Sequence, residues 1–461
     1  MTMNRRQALC AMTTSFAAAH AAARPAFAQA PKRPNIIFIM ADDLGYADLS
    51  CTGSSHIKTP AIDSIAANGR LLTNGYANSP VCSPTRTALL SGRYQYRFPI
   101  GLEEPLPTSK KALALPAGTP SIASVLRERG YYTKLIGKWH LGDPPHNGPL
   151  QNGYDAFFGI PSGGVDYFRH RAVVDGADVG LGLMQDNNPV EREGYMTTLL
   201  GDETIATIEA ARSDLPFLIS LHFTAPHWPW EGPEDEAVSR TLKSYTHYDA
   251  GNIAVYGRMV EAMDAQVARI IATLKMKGLY DDTIIVFTSD NGGERFSQTW
   301  PFVGVKGEVL EGGIRVPILA QWPGRIPAGT VSAQVMMSMD FLPTLLSAAG
   351  GDPASAGNFD GVNLLGAWMG ETVVDRTIFW RFKAGEQRAV RHGSLKYLKL
   401  RDKEHLFDLA VDARERADLK DTRPAEFAAL KQRYEQWDAT MLPYPEDSYS
   451  FDVRGGFSDR Y

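Results

Sequence analysis

Residues 34–41 form an apolar stretch, Pro34-Asn35-Ile36-Ile37-Phe38-Ile39-Met40-Ala41, that runs straight into two adjacent carboxylates, Asp42 and Asp43. A run with no polar alternation suits a strand covered on both faces, as in a parallel sheet between helices. Similar runs recur at residues 131–137, 217–224 and 283–289, and helical patterns lie among them at 62–68, 121–129, 201–211 and 253–277. This alternation predicts an α/β fold with a large, mostly parallel sheet, whose ligands bind outside the carboxyl ends of the strands. After residue 348 the texture changes. Gly350-Gly351-Asp352-Pro353 reads as a linker, followed by short strand-like pieces at 377–382, 387–391 and 395–400 and a helix at 424–441. The expected organisation is an export segment at 1–30, a catalytic domain at 31–348 and a smaller C-terminal α+β domain at 349–461 that carries an antiparallel sheet.

The first thirty residues are set apart from the fold. Arg5-Arg6 precede an apolar, alanine-rich stretch, and Ala26-Phe27-Ala28 or Ala28-Gln29-Ala30 offers small residues for cleavage. This is the pattern of a twin-arginine export signal, which places the mature chain in a bacterial periplasm or outside the cell. No other apolar run reaches the roughly 18 residues needed to span a membrane. The net charge of −5, with no basic tract, excludes nucleic acid as an expected partner. Any anionic substrate must then be held by local positive charge.

The strand ends supply the polar residues. Asp42 and Asp43 close the first run, and Asp290-Asn291-Gly292-Gly293 follows the run at 283–289 in the same manner. Taken singly, each pair reads as a turn or a helix cap. Brought together, three carboxylates repel one another unless a cation sits among them, and a set of hard oxygens favours calcium, or less readily magnesium, over zinc. Lys138-Trp139-His140 follows the run at 131–137, and residues two apart on an extended segment face one side. Lys306 lies between Gly304 and Gly307, where a lysine is ordinarily a solvated charge. His227, in Ala225-Pro226-His227-Trp228-Pro229-Trp230, stands in a proline-stiffened loop and suits proton donation to a leaving oxygen. His222 reads as a core residue, and Trp228 and Trp230 as either ring-stacking or wall-packing residues.

Cys82-Ser83-Pro84-Thr85-Arg86, followed by Thr87-Ala88-Leu89-Leu90-Ser91-Gly92-Arg93, has the form Cys-x-Pro-x-Arg. Alone, the pentapeptide also fits a buried turn cysteine, and Cys51 is a possible disulfide partner. With the strand-end residues, the chain resembles the type I sulfatases of the alkaline phosphatase superfamily from about Pro34 to its C-terminal domain. In that family the motif cysteine is oxidised to Cα-formylglycine by a formylglycine-generating enzyme.

The resemblance implies a mixed central sheet between helices and two-step hydrolysis of aryl or carbohydrate sulfate esters. A formylglycine hydrate attacks sulfur, and a sulfated enzyme then expels sulfate. It implies one calcium ion held by Asp42, Asp43, Asp290, Asn291 and the residue made from Cys82. Arg86 braces the hydrate, Lys138, Lys306 and His227 face the sulfate, and His140 drives its elimination. Ser162, in Gly159-Ile160-Pro161-Ser162-Gly163-Gly164, matches a sulfate-binding serine loosely. The C-terminal stretch from Glu404 to Leu409, with Asp412, Glu415 and Leu419, is similar to a structural element of the family. Two other readings are carried forward: a phosphonate monoester or phosphodiester hydrolase of the same superfamily, and a binding protein in which Cys82 stays a thiol. Loops at 163–193, 231–250 and 448–461 are the expected seat of specificity, and Phe168-Arg169-His170-Arg171 either meets an acidic sugar or is simply solvated.

Overall fold

The computed structural model describes residues 33–110, 112–246, 251–371 and 373–452, so the expected export segment lies outside the described residues. In chain order the strands are β1 (Asn35–Ala41), β2 (Arg70–Tyr76), β3 (Tyr132–Lys138), β4 (Ala156–Ile160), β5 (Val173–Val174), β6 (Ala177–Asp178), β7 (Met184–Gln185), β8 (Asn188–Pro189), β9 (Phe217–His222), β10 (Thr283–Ser289), β11 (Ile318–Gln321), β12 (Thr330–Met337), β13 (Thr377–Phe382), β14 (Gln387–His392), β15 (Leu395–Leu400) and β16 (Lys403–Asp408). Ten of them make one sheet in the order β12-β2-β11-β10-β1-β9-β3-β4-β7-β8. The centre is parallel, as the unbroken runs predict: β10, β1, β9, β3 and β4 all point one way. β11 runs against both β10 and β2, and β7 runs against β4, so the sheet is mixed.

Both faces of β1 are buried. Ile36, Phe38 and Met40 enter one core with the helices Ile122–Glu128 and Phe341–Ala348, while Ile37, Ile39 and Ala41 enter another with Pro60–Ala67, Met196–Glu209 and Ile253–Met276. Trimming such a side chain, Phe38 to alanine for instance, leaves a void on one face and costs about 3–5 kcal/mol. Register carries the chemistry to one edge. Ala41 pairs with Ser289, Met40 with His222, and His222 with Gly137, so Asp42, Asp290 and Lys138 leave the sheet side by side.

The C-terminal sheet is antiparallel in the order β13-β14-β15-β16. Its Ile378, Trp380, Ala389 and Leu398 pack on Tyr76, Tyr96 and Met339 of the main body, and its Val390, Tyr397 and Leu406 pack under the helix Pro424–Asp438. A buried ionic joint ties it down. Lys396 Nζ stands 2.9 Å from both Glu311 and Glu415, and Glu415 also accepts the main-chain N–H of Glu311 at 2.7 Å. Glu415 is thus structural, as its sequence context suggests. β2, β11 and β12 escape a reading by apolar runs: β2 carries Thr73-Asn74-Gly75, β11 spans four residues, and β12 is partly exposed.

Candidate active site

The helix Cys82–Ser91 begins with Cys82 itself, after the extended residue Val81. Its first turn is anchored by side chains: Thr85 Oγ1 accepts from Ser79 N at 3.0 Å, and Ser83 Oγ accepts from Leu106 N at 2.7 Å. Arg86, one turn on, lies on the strand ends. Its Nε and Nη2 donate to Asp290 Oδ2 at 3.1 and 2.8 Å, and Nη1 donates to Lys138 O at 2.9 Å. The expectation that a helix brings Arg86 and Cys82 to one face therefore describes the local geometry. Cys51 and Cys82 are both free, so no disulfide ties up the motif cysteine.

Around this helix the strand-end residues converge. Lys138 Nζ donates to Asp42 Oδ2 at 2.6 Å, Lys306 Nζ to Asp43 Oδ2 at 2.7 Å, and Asn291 Nδ2 to Asp43 Oδ1 at 2.8 Å. Asp43 N donates to Asp290 Oδ1 at 3.2 Å, and Asp43 adopts a left-handed backbone (φ 63°) to do so. Arg86, Lys138 and Lys306 stand against Asp42, Asp43 and Asp290, yet the carboxylates still repel one another at Asp42, as the sequence suggests. What favours a cation is that Asp42 Oδ1 and Asn291 Oδ1 are buried acceptors with no hydrogen-bond donor. Burial and the Asp290 carboxylate both push the Asp42 carboxyl well above its ordinary range, against Lys138. Burial also opposes ionisation of Asp43, but the Lys306 ammonium outweighs it, with help from Lys138, and holds that carboxyl low. Ligand atoms of Asp42, Asp43 and His227 lie within 4.8 Å of one another, which sets an imidazole beside the all-oxygen set expected from sequence. The oxygen donors fit a hard cation; one histidine is too little for a zinc-type set.

The two histidines differ in tautomer. His140 Nε2 faces the Leu106 carbonyl at 3.0 Å, so this nitrogen carries the proton and Nδ1, 3.4 Å from Cys82 Sγ, is the basic one. Burial, then Lys138, drives the His140 pKa well below its ordinary value. His227 uses Nδ1 to donate to Trp228 O at 2.6 Å, leaving Nε2 as an acceptor 3.6 Å from Asp43 Oδ2. Burial and the two lysines keep it neutral. Lys306 is the opposite case: burial resists its charge, but Asp43 and Glu294 raise its pKa well above the usual value.

A cavity of about 260 Å³ opens over Cys82, His140, His227 and Lys306. Lys138 is fully buried behind Asp42 and does not reach its wall. His140 does face the site, though by a left-handed turn (φ 57°) rather than by strand alternation. Gly163 permits this, since a Cβ there would stand 2.6 Å from the imidazole. Ser162 lines the cavity, with its hydroxyl directed to the Leu181 carbonyl at 3.2 Å. Trp228 lines it too, whereas Trp230 packs edge-on against Phe296. His222 is buried in the core against Phe38, as expected. Arg169 is held by the buried Asp166 at 2.7 Å and His170 is buried with Nε2 3.0 Å from the Gly194 carbonyl, so these two residues are packed rather than simply solvated. Sequence reasoning missed Glu294, buried 3.7 Å from Lys306 with its carboxyl pushed up to about 8 by burial. Its place just beyond Asp290-Asn291-Gly292-Gly293 was the available signal. Tyr245, Tyr449 and Phe451 were missed as individuals, although they lie in loops expected to carry specificity.

The mixed sheet and the polar cluster at its carboxyl edge define a member of the alkaline phosphatase-like superfamily. The model of the family described as Sulfatase matches residues 34–351. The dog (Canis lupus familiaris) N-acetylgalactosamine-6-sulfatase is 33% identical over 399 residues, covering 80% of this chain and 72% of that protein. A crystal structure of Ps i-CgsB in complex with k-i-k-neocarrahexaose superposes with a TM-score of 0.82 at 30% identity, covering 92% of this chain and 96% of that one. The phosphonate monoester hydrolase of Agrobacterium radiobacter shares the fold, with a TM-score of 0.65 at 22% identity, covering 89% of this chain and 96% of that one. The chain belongs to the sulfatase family and is a hydrolase of sulfate esters.

Proposed function

We propose that this sulfatase acts through Cα-formylglycine, made from Cys82 by a formylglycine-generating enzyme, with one calcium ion at Asp42, Asp43, Asp290 and Asn291. Its substrates in this reading are aryl or saccharide sulfate esters. The names of its relatives, one an N-acetylgalactosamine-6-sulfatase and one solved with a neocarrahexaose, favour a sugar. The observation that carries the reading is the setting of Cys82: first residue of its helix, at the cavity, with His140 Nδ1 at 3.4 Å. As a thiol it is a poor nucleophile here, because burial pushes its pKa up despite Lys138 and Lys306.

The aldehyde, as its hydrate, supplies one hydroxyl for attack on sulfur and a second whose deprotonation frees sulfate. Calcium, held by Asp42, Asp43, Asp290 and Asn291, would supply Lewis-acid withdrawal of charge from the sulfate oxygens. Lys306, charged and on the cavity wall, holds a sulfate oxygen and gives its proton to the leaving oxygen. His227, with Nε2 unprotonated, is the weaker candidate for that donation, and it accepts and orients instead. His140 Nδ1 takes a proton at the position of Cys82. Arg86 fixes Asp290 and the Lys138 carbonyl, and Lys138 neutralises Asp42 from behind. Ser162 is left as a wall residue.

Export to the periplasm, suggested by Arg5-Arg6 and the apolar stretch after it, belongs to the same proposal, as does the division at residues 348 and 349. Among the described residues, no helix is long and apolar enough to cross a membrane. The test is the mass of the tryptic peptide spanning Cys82, from protein co-expressed with a formylglycine-generating enzyme, alongside sulfate release from nitrophenyl sulfate. An aldehyde or hydrate at this position, and activity lost in Cys82→Ser, are expected. An intact thiol in fully active protein removes the mechanism. Faster turnover of an aryl phosphonate would move the assignment to the phosphonate hydrolases.

A further inference from the structure

The cavity over Cys82 divides chemically into two parts. Cys82, His140, His227 and Lys306 make its reactive end, and much of the remaining wall is apolar or aromatic, including Leu106, Leu181, Trp228, Tyr245, Tyr449 and Phe451. Among the described residues on this wall, Lys306 is the one ammonium or guanidinium group, and it already serves Asp43 at 2.7 Å. A larger groove meets the cavity at Gly180, but its Arg169 is bound to Asp166 and its Arg171 lies 3.6 Å from Asp178 and 3.5 Å from Glu191. Arg240 of the same groove lies 2.6 Å from Glu236, and Arg192 and Lys243 also line it, so its further cations belong to the groove and not to the cavity wall.

Two rings flank the reactive ammonium. Lys306 Nζ stands 5.9 Å from the centre of Trp228 and 6.0 Å from that of Phe451. Phe451 arrives on a strap of residues 448–452 that is paired to the segment after Leu102. Glu104 N donates to Tyr449 O at 2.9 Å, Phe451 N donates to Glu104 O at 2.6 Å, and Tyr449 N donates to a carboxylate oxygen of Glu103 at 2.9 Å. The strap is therefore a fixed part of the wall. A sulfate drawn to Lys306 brings the ring that bears it against these aromatic faces.

We propose that the cavity takes a singly sulfated ring carrying no second anionic group, and that Phe451, with Trp228, is a specificity-determining residue that holds the ring's apolar face. Flat aryl rings and the apolar face of a neutral sugar share this chemistry. A second sulfate or a uronate carboxylate on the ring loses its water there, and among the described residues of this wall only Lys306, already engaged by Asp43, is a cation to replace it. The inference rests on the sulfatase reading of the same site.

The test measures sulfate release by full-length enzyme whose aldehyde has been verified by mass. The probes are nitrophenyl sulfate, a monosulfated N-acetylhexosamine and its disulfated counterpart. A kcat/KM at least about ten-fold higher for a singly sulfated ester than for the disulfated sugar is expected. In Phe451→Ala, KM for that ester rises about ten-fold, while kcat and Tm hold. Trp228→Ala repeats the KM effect from the other ring. The better of the two singly sulfated probes tells an aryl from a sugar pocket. Equal or better turnover of the disulfated sugar, or an unchanged KM in both variants, overturns the inference while leaving the sulfatase mechanism intact. Verified aldehyde with no sulfate released from any probe defeats that mechanism, and this inference with it.

Discussion

His140 meets Cys82 with the ring nitrogen that carries no proton, Nδ1 at 3.4 Å from Sγ, because its other nitrogen is spent on the carbonyl of Leu106. Burial and Lys138 keep the ring neutral, so it is ready to accept a proton rather than to give one. His140→Ala should lower steady-state turnover by about 10²- to 10⁴-fold, the usual worth of a positioned base. The first equivalent of alcohol should still be released in a rapid-quench experiment, since the proposed mechanism gives leaving-group protonation to Lys306. Loss of that first equivalent along with turnover would assign His140 to the attack instead.

Arg86 and Asp290 form a buried pair at the strand ends, and Arg86 also holds the Lys138 carbonyl. Removing one partner of such a pair leaves the other charge stranded, at a cost of about 3–5 kcal/mol. Arg86→Ala should therefore shift the guanidinium midpoint strongly downward. Arg86→Lys should recover part of the loss, as it restores charge without the two-nitrogen contact. A midpoint unchanged in Arg86→Ala means that Asp290 finds another partner.

These pairs show what can and cannot be read from a one-dimensional chain. Asp42 and Asp290 were legible because each directly follows an apolar run, and adjacent parallel strands in register put their next residues together. Arg86 was legible through its one-turn offset from Cys82. The neutralisation of Asp42 and Asp43 by Lys138 and Lys306 was not, because it depends on where side-chain ends arrive after long connections. Glu294 was overlooked because a carboxylate after two glycines ordinarily faces water, and only tertiary packing buries it. The strand β12 and the strap carrying Phe451 are partly exposed, so no apolar period marks them, and their partners lie far off in sequence.

The unpartnered oxygens of Asp42 and Asn291 lead to a prediction about metal. Calcium at about 100 times its dissociation constant should stabilise the fold by about 2.7 kcal/mol through mass action. A chelator should lower Tm, calcium should restore it, and magnesium should do so less well. Asn291→Leu should lose the calcium response in calorimetry even without substrate. A Tm indifferent to chelator and calcium alike would remove the proposed cation.

Glu104, fully buried under the strap, gives a prediction about pH. Burial raises its carboxyl from 4.5 to about 7, although Tyr444 Oη, Ser450 Oγ and Lys383 N all donate to it. The folded protein thus holds a proton that the unfolded chain releases near its ordinary pKa. That contribution is fully present below about pH 4.5 and is lost as pH rises to about 7, a change on the order of 3 kcal/mol. Asp48, raised to about 7, and Glu231, raised to about 8, act with the same sign, so the single-residue share must be read by difference. Tm of the wild type should fall between pH 5 and pH 8, and Glu104→Gln, which has no proton to lose, should fall less over the same interval. If the two curves run parallel, the three donors outweigh burial, and Glu104 holds the strap as a carboxylate throughout.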